Sequence, residues 1–301
     1  MRIGIFFPTK EHGTLDEMVG RCKTVEQMGF TSAWLPQSSG FDALTALAVI
    51  GREVGRLELG TSVVPTYPRH PVMLAAQALT TSSAVDGRLV LGVGLSHRTA
   101  IEGAYGLSYD QPARHMEEYL SILLPLLRER RVDVSGTTLT GRSQLTIAGA
   151  AAPAVILAAL QPRMLRLAGG LADGTVTWCT GPVTLEQQIV PIVTAAAAEA
   201  GHPAPRVVVP LPTIVTDDEA DGRSMADGQL QGYGQIPVYR AVLDREGVDG
   251  PADISVVGDE ASVAGQLRRL EDIGATEFVA IPCGTPADRR RTVEHLATLV
   301  S

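Results

Sequence analysis

The chain has 301 residues, of which 45% are hydrophobic and 4% aromatic, and it carries a formal net charge of -8. It is long enough for a large aliphatic core, and its acidity argues against nucleic acid or an anionic membrane as a partner. Three scattered cysteines (Cys22, Cys179 and Cys283) without a CxxC fit neither a disulfide framework nor a zinc site. They point to a reducing cytoplasm. No signal peptide is evident before the first strand, no apolar run approaches the roughly 20 residues of a membrane span, and no metal is expected.

A short β-rich apolar run followed by an amphipathic helical stretch recurs along the chain. Arg2–Phe7 is the first strand. Thr14 with Glu17 forms a capping box that opens a helix carrying Met18, Val19, Cys22 and Val25 on one face. Thr31–Pro36 is the second strand, and Asp42 caps a helix to about Val54. Leu57–Val64 is the third strand, followed by a helix over about 71–85. Arg88–Val93 is the fourth. Residues 94–112 read as loop and 113–129 as helix. Val132–Ile147 alternates with turn residues and reads as an inserted hairpin. Ala154–Ala159 is the fifth strand, with Pro162 opening a helix where proline is tolerated. Gly174–Trp178 is the sixth, and Thr184 with Gln187 reads as a second capping box. Arg206–Val215 is the seventh. Residues 217–253 are the least legible, with helices expected near 218–230 and 235–246. Asp259 caps a further helix, Glu277–Ile281 is the eighth strand, and Thr285-Pro286 opens the last helix.

Eight such units, with strands apolar on both faces, predict an α/β fold: a (β/α)8 TIM barrel with an insertion after strand 4, forming one domain over 1–301. An open doubly wound sheet is the rival if one unit is misread. In a barrel the active site lies beyond the C-terminal ends of the strands. There the sequence places Pro8, Thr9, Lys10, Glu11, His12, Gln37, Ser38, Ser62, Ser96, His97, Arg98, Gln161, Arg163 and Cys179. Converging metal ligands and a facing carboxylate pair are missing from this set. Lys10, the one lysine near a strand end, stands beside Glu11, which would keep it charged rather than ready for Schiff-base chemistry. A site so poor in reactive groups suggests a cofactor that brings the chemistry. Two features suit an anionic one: the helix start in Ala158-Ala159-Leu160-Gln161-Pro162-Arg163-Met164, and the glycines of Leu91-Gly92-Val93-Gly94. The first is also how most helices begin, and the second also fits a tight strand exit.

Five stretches, in order, resemble the luciferase-like family, and within it the coenzyme F420-dependent oxidoreductases. They are Arg2–Pro8, Leu59–Thr66, Arg88–Gly94, Pro162–Gly174 and Val257–Thr276. The resemblance implies a barrel with a long insertion, a small-molecule substrate and a homodimer. It also implies coenzyme F420 as cofactor, with flavin mononucleotide (FMN) the alternative. A non-prolyl cis peptide would fall at Ser62-Val63, behind the cofactor ring. Gly94, Leu95, Ser96 and His97 would border ring and substrate, and backbone N–H groups around Gln161–Met164, with Ala158, Ala159 and Leu160 before them, would hold a phosphate. Sugar-phosphate dehydrogenases of this family carry a His after strand 2 and a Glu after strand 4. Ser38 and His97 stand there instead, so that mechanism does not carry over. Many relatives have Gly in place of Gln161.

The expected function is hydride transfer to or from a small organic substrate, with C=C or C=N reduction favoured. An FMN-dependent monooxygenase is the alternative, and a non-catalytic binding or structural barrel is the second. His97 is the expected proton donor. Pro8, Gln37, Ser38, Arg98, Trp178 and Cys179 are expected around the substrate, Tyr233 and Tyr239 as a cap over it, and His115 as a solvated helix residue.

Overall fold

The computed structural model of the chain describes residues 1–8, 13–230 and 232–300; Thr9, Lys10, Glu11 and His12 lie outside the described residues. Eight parallel strands close on themselves: β1 (Arg2–Phe6), β2 (Ser32–Leu35), β3 (Glu58–Thr61), β4 (Leu89–Gly94), β5 (Ala154–Ala158), β6 (Gly174–Val176), β7 (Arg206–Val215) and β8 (Glu277–Pro282). β8 lies between β7 and β1 and pairs with both, which completes the (β/α)8 barrel. Each strand feeds a helix that covers the outside, so residues of both faces are buried. One large cluster fills the space between strands and helices. A second fills the barrel itself, built from Phe6, Trp34, Val90, Ile156, Val176, Val208, Val279 and Ile281.

The floor of the barrel is polar. The fully buried Glu277 carboxylate accepts from Trp34 Nε1 (2.9 Å), from Ser32 Oγ and from Arg206 Nη2 (2.6 Å). Arg206 Nη2 also donates to Glu58 Oε1 (2.6 Å), and Arg2 pairs with Glu58 at 3.1 Å. Two acids and two arginines from β1, β3, β7 and β8 thus neutralise one another around Glu277, the one fully buried member, whose charge needs such partners. Above them lies the Trp34 indole, and Gly60 leaves it room: a Cβ there would stand 2.3 Å from Trp34 Cε3.

The helix starts at Thr14, Asp42, Asp259 and Thr285 form as the sequence implies; at Thr14 and Thr285 the cap is reciprocal. The hairpin Arg131–Ser135 with Thr140–Gln144 is present and antiparallel, outside the barrel. The helices Glu219–Leu230 and Pro237–Glu246 occupy the segment after β7.

Several expectations are corrected. The third strand is not continuous to Val64: it breaks after Thr61, the Ser62-Val63 peptide is cis, and Val64–Pro65 pairs anew with β4. Residues 94–112 are not all loop, because Arg98–Tyr105 is helical; Ile101 is its one buried residue, so it shows no apolar period. The capping box at Thr184 and Gln187 does not exist. That helix starts at Pro182, and Glu246, more than 60 residues away, accepts from the N–H groups of Val183 (3.0 Å) and Thr184 (2.7 Å). His115 is not solvated but 6% exposed, stacked on Tyr67 at 3.9 Å with its Nε2 3.1 Å from Thr66 Oγ1. Val256–Gly258 adds a short strand beside β7.

Candidate active site

A cavity of roughly 1040 Å³ opens beyond the C-terminal ends of the barrel strands. Its floor is the top of the barrel core: Phe6, Val176 and Ile281. Pro8 stands after β1, and Pro36, Gln37 and Ser38 after β2. Gln37 is partly committed, since its Oε1 accepts from the Ala43 N–H (2.9 Å) at the start of the next helix.

One wall is flat and apolar. Thr61 ends β3 by bonding to β4 through its side chain: Oγ1 donates to the Gly92 carbonyl and accepts from the Gly92 N–H, each at 2.8 Å. The cis Ser62-Val63 peptide then turns Val63 toward Gly94 and Ala158. A Cβ on Gly94 would come 2.7 Å from Val63 Cγ2 and 3.0 Å from the Ala158 Cβ. Only glycine lets these three residues form one smooth face, and Ser62, Val63, Gly94 and Ala158 all line the cavity.

Ala159, Leu160, Gln161, Arg163 and Met164 continue this wall to the helix Pro162–Gly170. Gln161 is its N-cap and makes no side-chain cap bond. The first N–H groups of a helix lack intrahelical acceptors and sit at the positive end of its dipole, which suits an oxyanion. Arg163 is exposed and stands 3.7 Å from Glu117.

The opposite wall begins at Leu95 and Ser96. Ser96 adopts a left-handed φ of 59°, and its carbonyl accepts from the Tyr109 hydroxyl (3.1 Å). This turn presents His97, whose ring meets Tyr239 edge-on at 5.5 Å and Tyr233 at 6.4 Å. The His97 ring has no hydrogen bond among the described residues, and burial holds its pKa below the ordinary 6.5. Burial therefore favours the neutral imidazole. Arg98 also lines the cavity, bonded to Glu102 at 2.5 Å and lying 5.2 Å from the Tyr109 ring centre. Trp178 packs between Phe6 (5.6 Å) and Tyr233 (5.7 Å). Tyr233, Gln235 and Ile236–Tyr239 complete the cavity from the segment after β7.

Thr9, Lys10, Glu11 and His12 lie outside the described residues; of the other residues expected at the cofactor and substrate site, all line the cavity with two exceptions. Pro162 is the first residue of its helix and does not face the cavity. Cys179 does not line it either: it packs in the core at 2% exposure, and burial pushes its pKa up. The sequence reading missed Tyr109, Leu230 and Ile236–Val238, whose place depends on packing of distant segments. A turn residue with an aromatic thirteen positions on is too common a pattern to reveal Tyr109. Among the described lining residues the charged side chains are Arg98 and Arg163, and no carboxylate is present. The described lining residues thus offer surface, hydrogen-bonding groups and one imidazole.

The sequence profile of the family described as luciferase-like monooxygenase matches residues 1–299. A 5,10-methylenetetrahydromethanopterin reductase of Methanolobus tindarius is 25% identical over 280 residues, 91% of this chain and 84% of its own. Among solved structures, an F420-dependent secondary alcohol dehydrogenase in complex with an F420-acetone adduct superposes with a TM-score of 0.83 at 16% identity, covering 99% of this chain and 98% of that one. The oxygenating constituent of 3,6-diketocamphane monooxygenase from Pseudomonas putida, in complex with FMN, does so with a TM-score of 0.78 at 16% identity, covering 100% and 97%. At such identities the two structures speak for the fold.

Proposed function

The chain belongs to the luciferase-like monooxygenase family, and from that premise we propose that it is a coenzyme F420-dependent oxidoreductase acting on a small organic substrate, with reduction of C=C or C=N favoured. The observation that carries this reading is the smooth Val63–Gly94–Ala158 face, set in a cavity whose described lining residues include no carboxylate. A planar redox cofactor fits such a face, and a site without its own reactive groups needs one.

In this reading Ser62 and Val63 back the ring, Gly94, Leu95 and Ser96 border it, and Ala158 and Ala159 let it approach. Leu160, Gln161, Pro162, Arg163 and Met164 hold the phosphate: Pro162 opens the helix without spending an N–H, and the next N–H groups donate. When bound in its reduced form the deazaflavin supplies a hydride, which forms the new C–H bond as the substrate's π bond breaks. The electron pair passes to the neighbouring nitrogen or carbon, and His97 in its protonated form delivers the proton taken up there, returning to the neutral imidazole that burial favours. Pro8, Gln37, Ser38, Arg98 and Trp178 surround the substrate. The same proposal comprises one domain over 1–301 and a homodimer in a reducing cytoplasm; the free, buried state of all three cysteines supports the last point.

Fluorescence titration with coenzyme F420 and with FMN, separately, tests the cofactor. Saturable binding of F420 is expected. Tight FMN binding with none for F420 would replace this reading by the FMN-dependent monooxygenase, a reading favoured by the fold shared with an FMN-bound protein. Binding of neither would favour a barrel without catalysis.

A further inference from the structure

We propose that the substrate is an uncharged molecule bearing an aromatic or alicyclic ring, which docks in the corner formed by His97, Trp178, Tyr233 and Tyr239. The inference rests on the proposed function for the presence of a cofactor on the opposite wall, and deepens it by naming a substrate class.

The corner is a herringbone of rings. Trp178 and Tyr233 meet at 5.7 Å and 62°, Tyr233 and Tyr239 at 5.4 Å and 79°, and Tyr239 and His97 at 5.5 Å and 70°. These are edge-to-face contacts, in which the positive edge of one ring meets the negative face of the next, and a further ring extends the same pattern. Ile236 and Val238 add aliphatic surface beside it.

Among the described residues a charged ligand finds no free counter-ion in the corner. No Asp, Glu or Lys lines the cavity among the described residues. Of its two arginines, Arg163 belongs to the far wall and pairs with Glu117. Arg98 is engaged by Glu102 and by the Tyr109 carbonyl, its Nη2 3.4 Å from that oxygen. A carboxylate or phosphate in the corner would be desolvated without a counter-ion unless it broke that pair. Burial favours the uncharged form of His97, and its unbonded ring nitrogens can meet one polar atom of a neutral ligand. A ligand that satisfies both parts of the corner is a ring carrying a single carbonyl, imine or conjugated alkene.

Calorimetric titration of the F420-loaded protein with trans-cinnamaldehyde, its 4-carboxylate and its 4-trimethylammonium derivative tests this. The neutral aldehyde is expected to bind at least tenfold more tightly than either charged form. Tyr233→Leu, checked for an unchanged melting temperature, should weaken the aldehyde at least fivefold, and Trp178→Phe gives a second reading of the same wall. A charged derivative that binds as tightly as the aldehyde, or an affinity that neither variant alters, would overturn the proposal; preference for the ammonium would instead identify a cation-binding cage. Failure of F420 to bind falls on the proposed function alone, because the aldehyde titration can be run on the free protein.

Discussion

Replacing Gly60 by alanine should destabilise the barrel, although the general rule points the other way. A glycine in a strand with ordinary φ usually gains about 0.4–1 kcal/mol on becoming alanine, because the unfolded chain loses freedom. Gly60 lies in β3 and is not among the positive-φ glycines. Its new Cβ, however, would stand 2.3 Å from Trp34 Cε3 and 2.5 Å from Cδ2 and Cζ3. Carbon atoms rest about 3.5–4.0 Å apart, so the ring must withdraw by more than about 1 Å. It has little freedom to do so: Trp34 is fully buried, and its Nε1 donates to Ser32 and Glu277 at 2.9 Å. Overpacking costs about 1–3 kcal/mol, and disturbing a hydrogen bond to a charged acceptor about 1.5–3 more. Less the entropic gain, the net is about 3 kcal/mol. With an unfolding entropy of about 2.1 cal/mol/K per residue over 301 residues, this lowers the melting temperature by about 5 °C. Far-ultraviolet circular dichroism melts of wild type, Gly60→Ala, Trp34→Phe and the double variant measure it. In the double variant the smaller ring should recover at least about 1 kcal/mol relative to additivity. A Gly60→Ala melt at or above wild type, or strict additivity, would refute the reasoning.

Other outcomes follow from the same geometry. Arg206→Leu strands the buried Glu277 carboxylate and should cost about 3–5 kcal/mol in urea unfolding, part of which Glu277→Gln should restore; no restoration would mean the loss lies elsewhere. His115 is held neutral by burial, its pKa lowered from 6.5 to about 4. A depressed folded value means stability is fully present above pH 6.5 and is lost as pH falls toward 4, so His115→Gln should flatten the wild-type stability curve across that window. His97→Gln should lower kcat about 100-fold while F420 affinity changes little. If His97 donates the proton, the wild-type reduction rate should rise as pH falls below 6.5 and then level off, since its pKa lies below that value; a rate that declines there would assign His97 to another step. Tyr109→Phe removes the bond to the Ser96 carbonyl and should reduce kcat about tenfold through misplacement of His97, with KM and melting temperature nearly unchanged.

The parts of this molecule legible in its sequence are those decided locally. The caps at Thr14, Asp42, Asp259 and Thr285 work through side chains within three residues of the helix start, and all formed. Thr184 failed because the same need was met from outside, by Glu246. Helix Arg98–Tyr105 escaped notice since a helix that buries only Ile101 leaves no periodic trace. The apolar wall was readable in outline from glycines and alanines at strand ends. That Gly94 touches both Val63 and Ala158 depends on three strands lying side by side. The members of the aromatic corner were named from the sequence, but not their edge-to-face contacts: Trp178 and Tyr239 are 61 positions apart, and nothing in either neighbourhood announces the other. Cys179 stood at the right strand end, but it packs into the core rather than the cavity.

The charged floor of the barrel sets an order on how the protein can be made. Glu277 arrives with the eighth strand, after Arg2, Glu58 and Arg206 have already been synthesised. Until then the nascent chain holds two arginines and one glutamate that no closed barrel can neutralise, so the first seven strands have reason to remain open to water. The last strand acts as a keystone: it joins the two edges of the sheet and balances the charges beneath it in the same step. A ribosome-bound chain arrested before β8 should therefore remain sensitive to protease, and should become resistant once Glu277 and Phe278 have emerged.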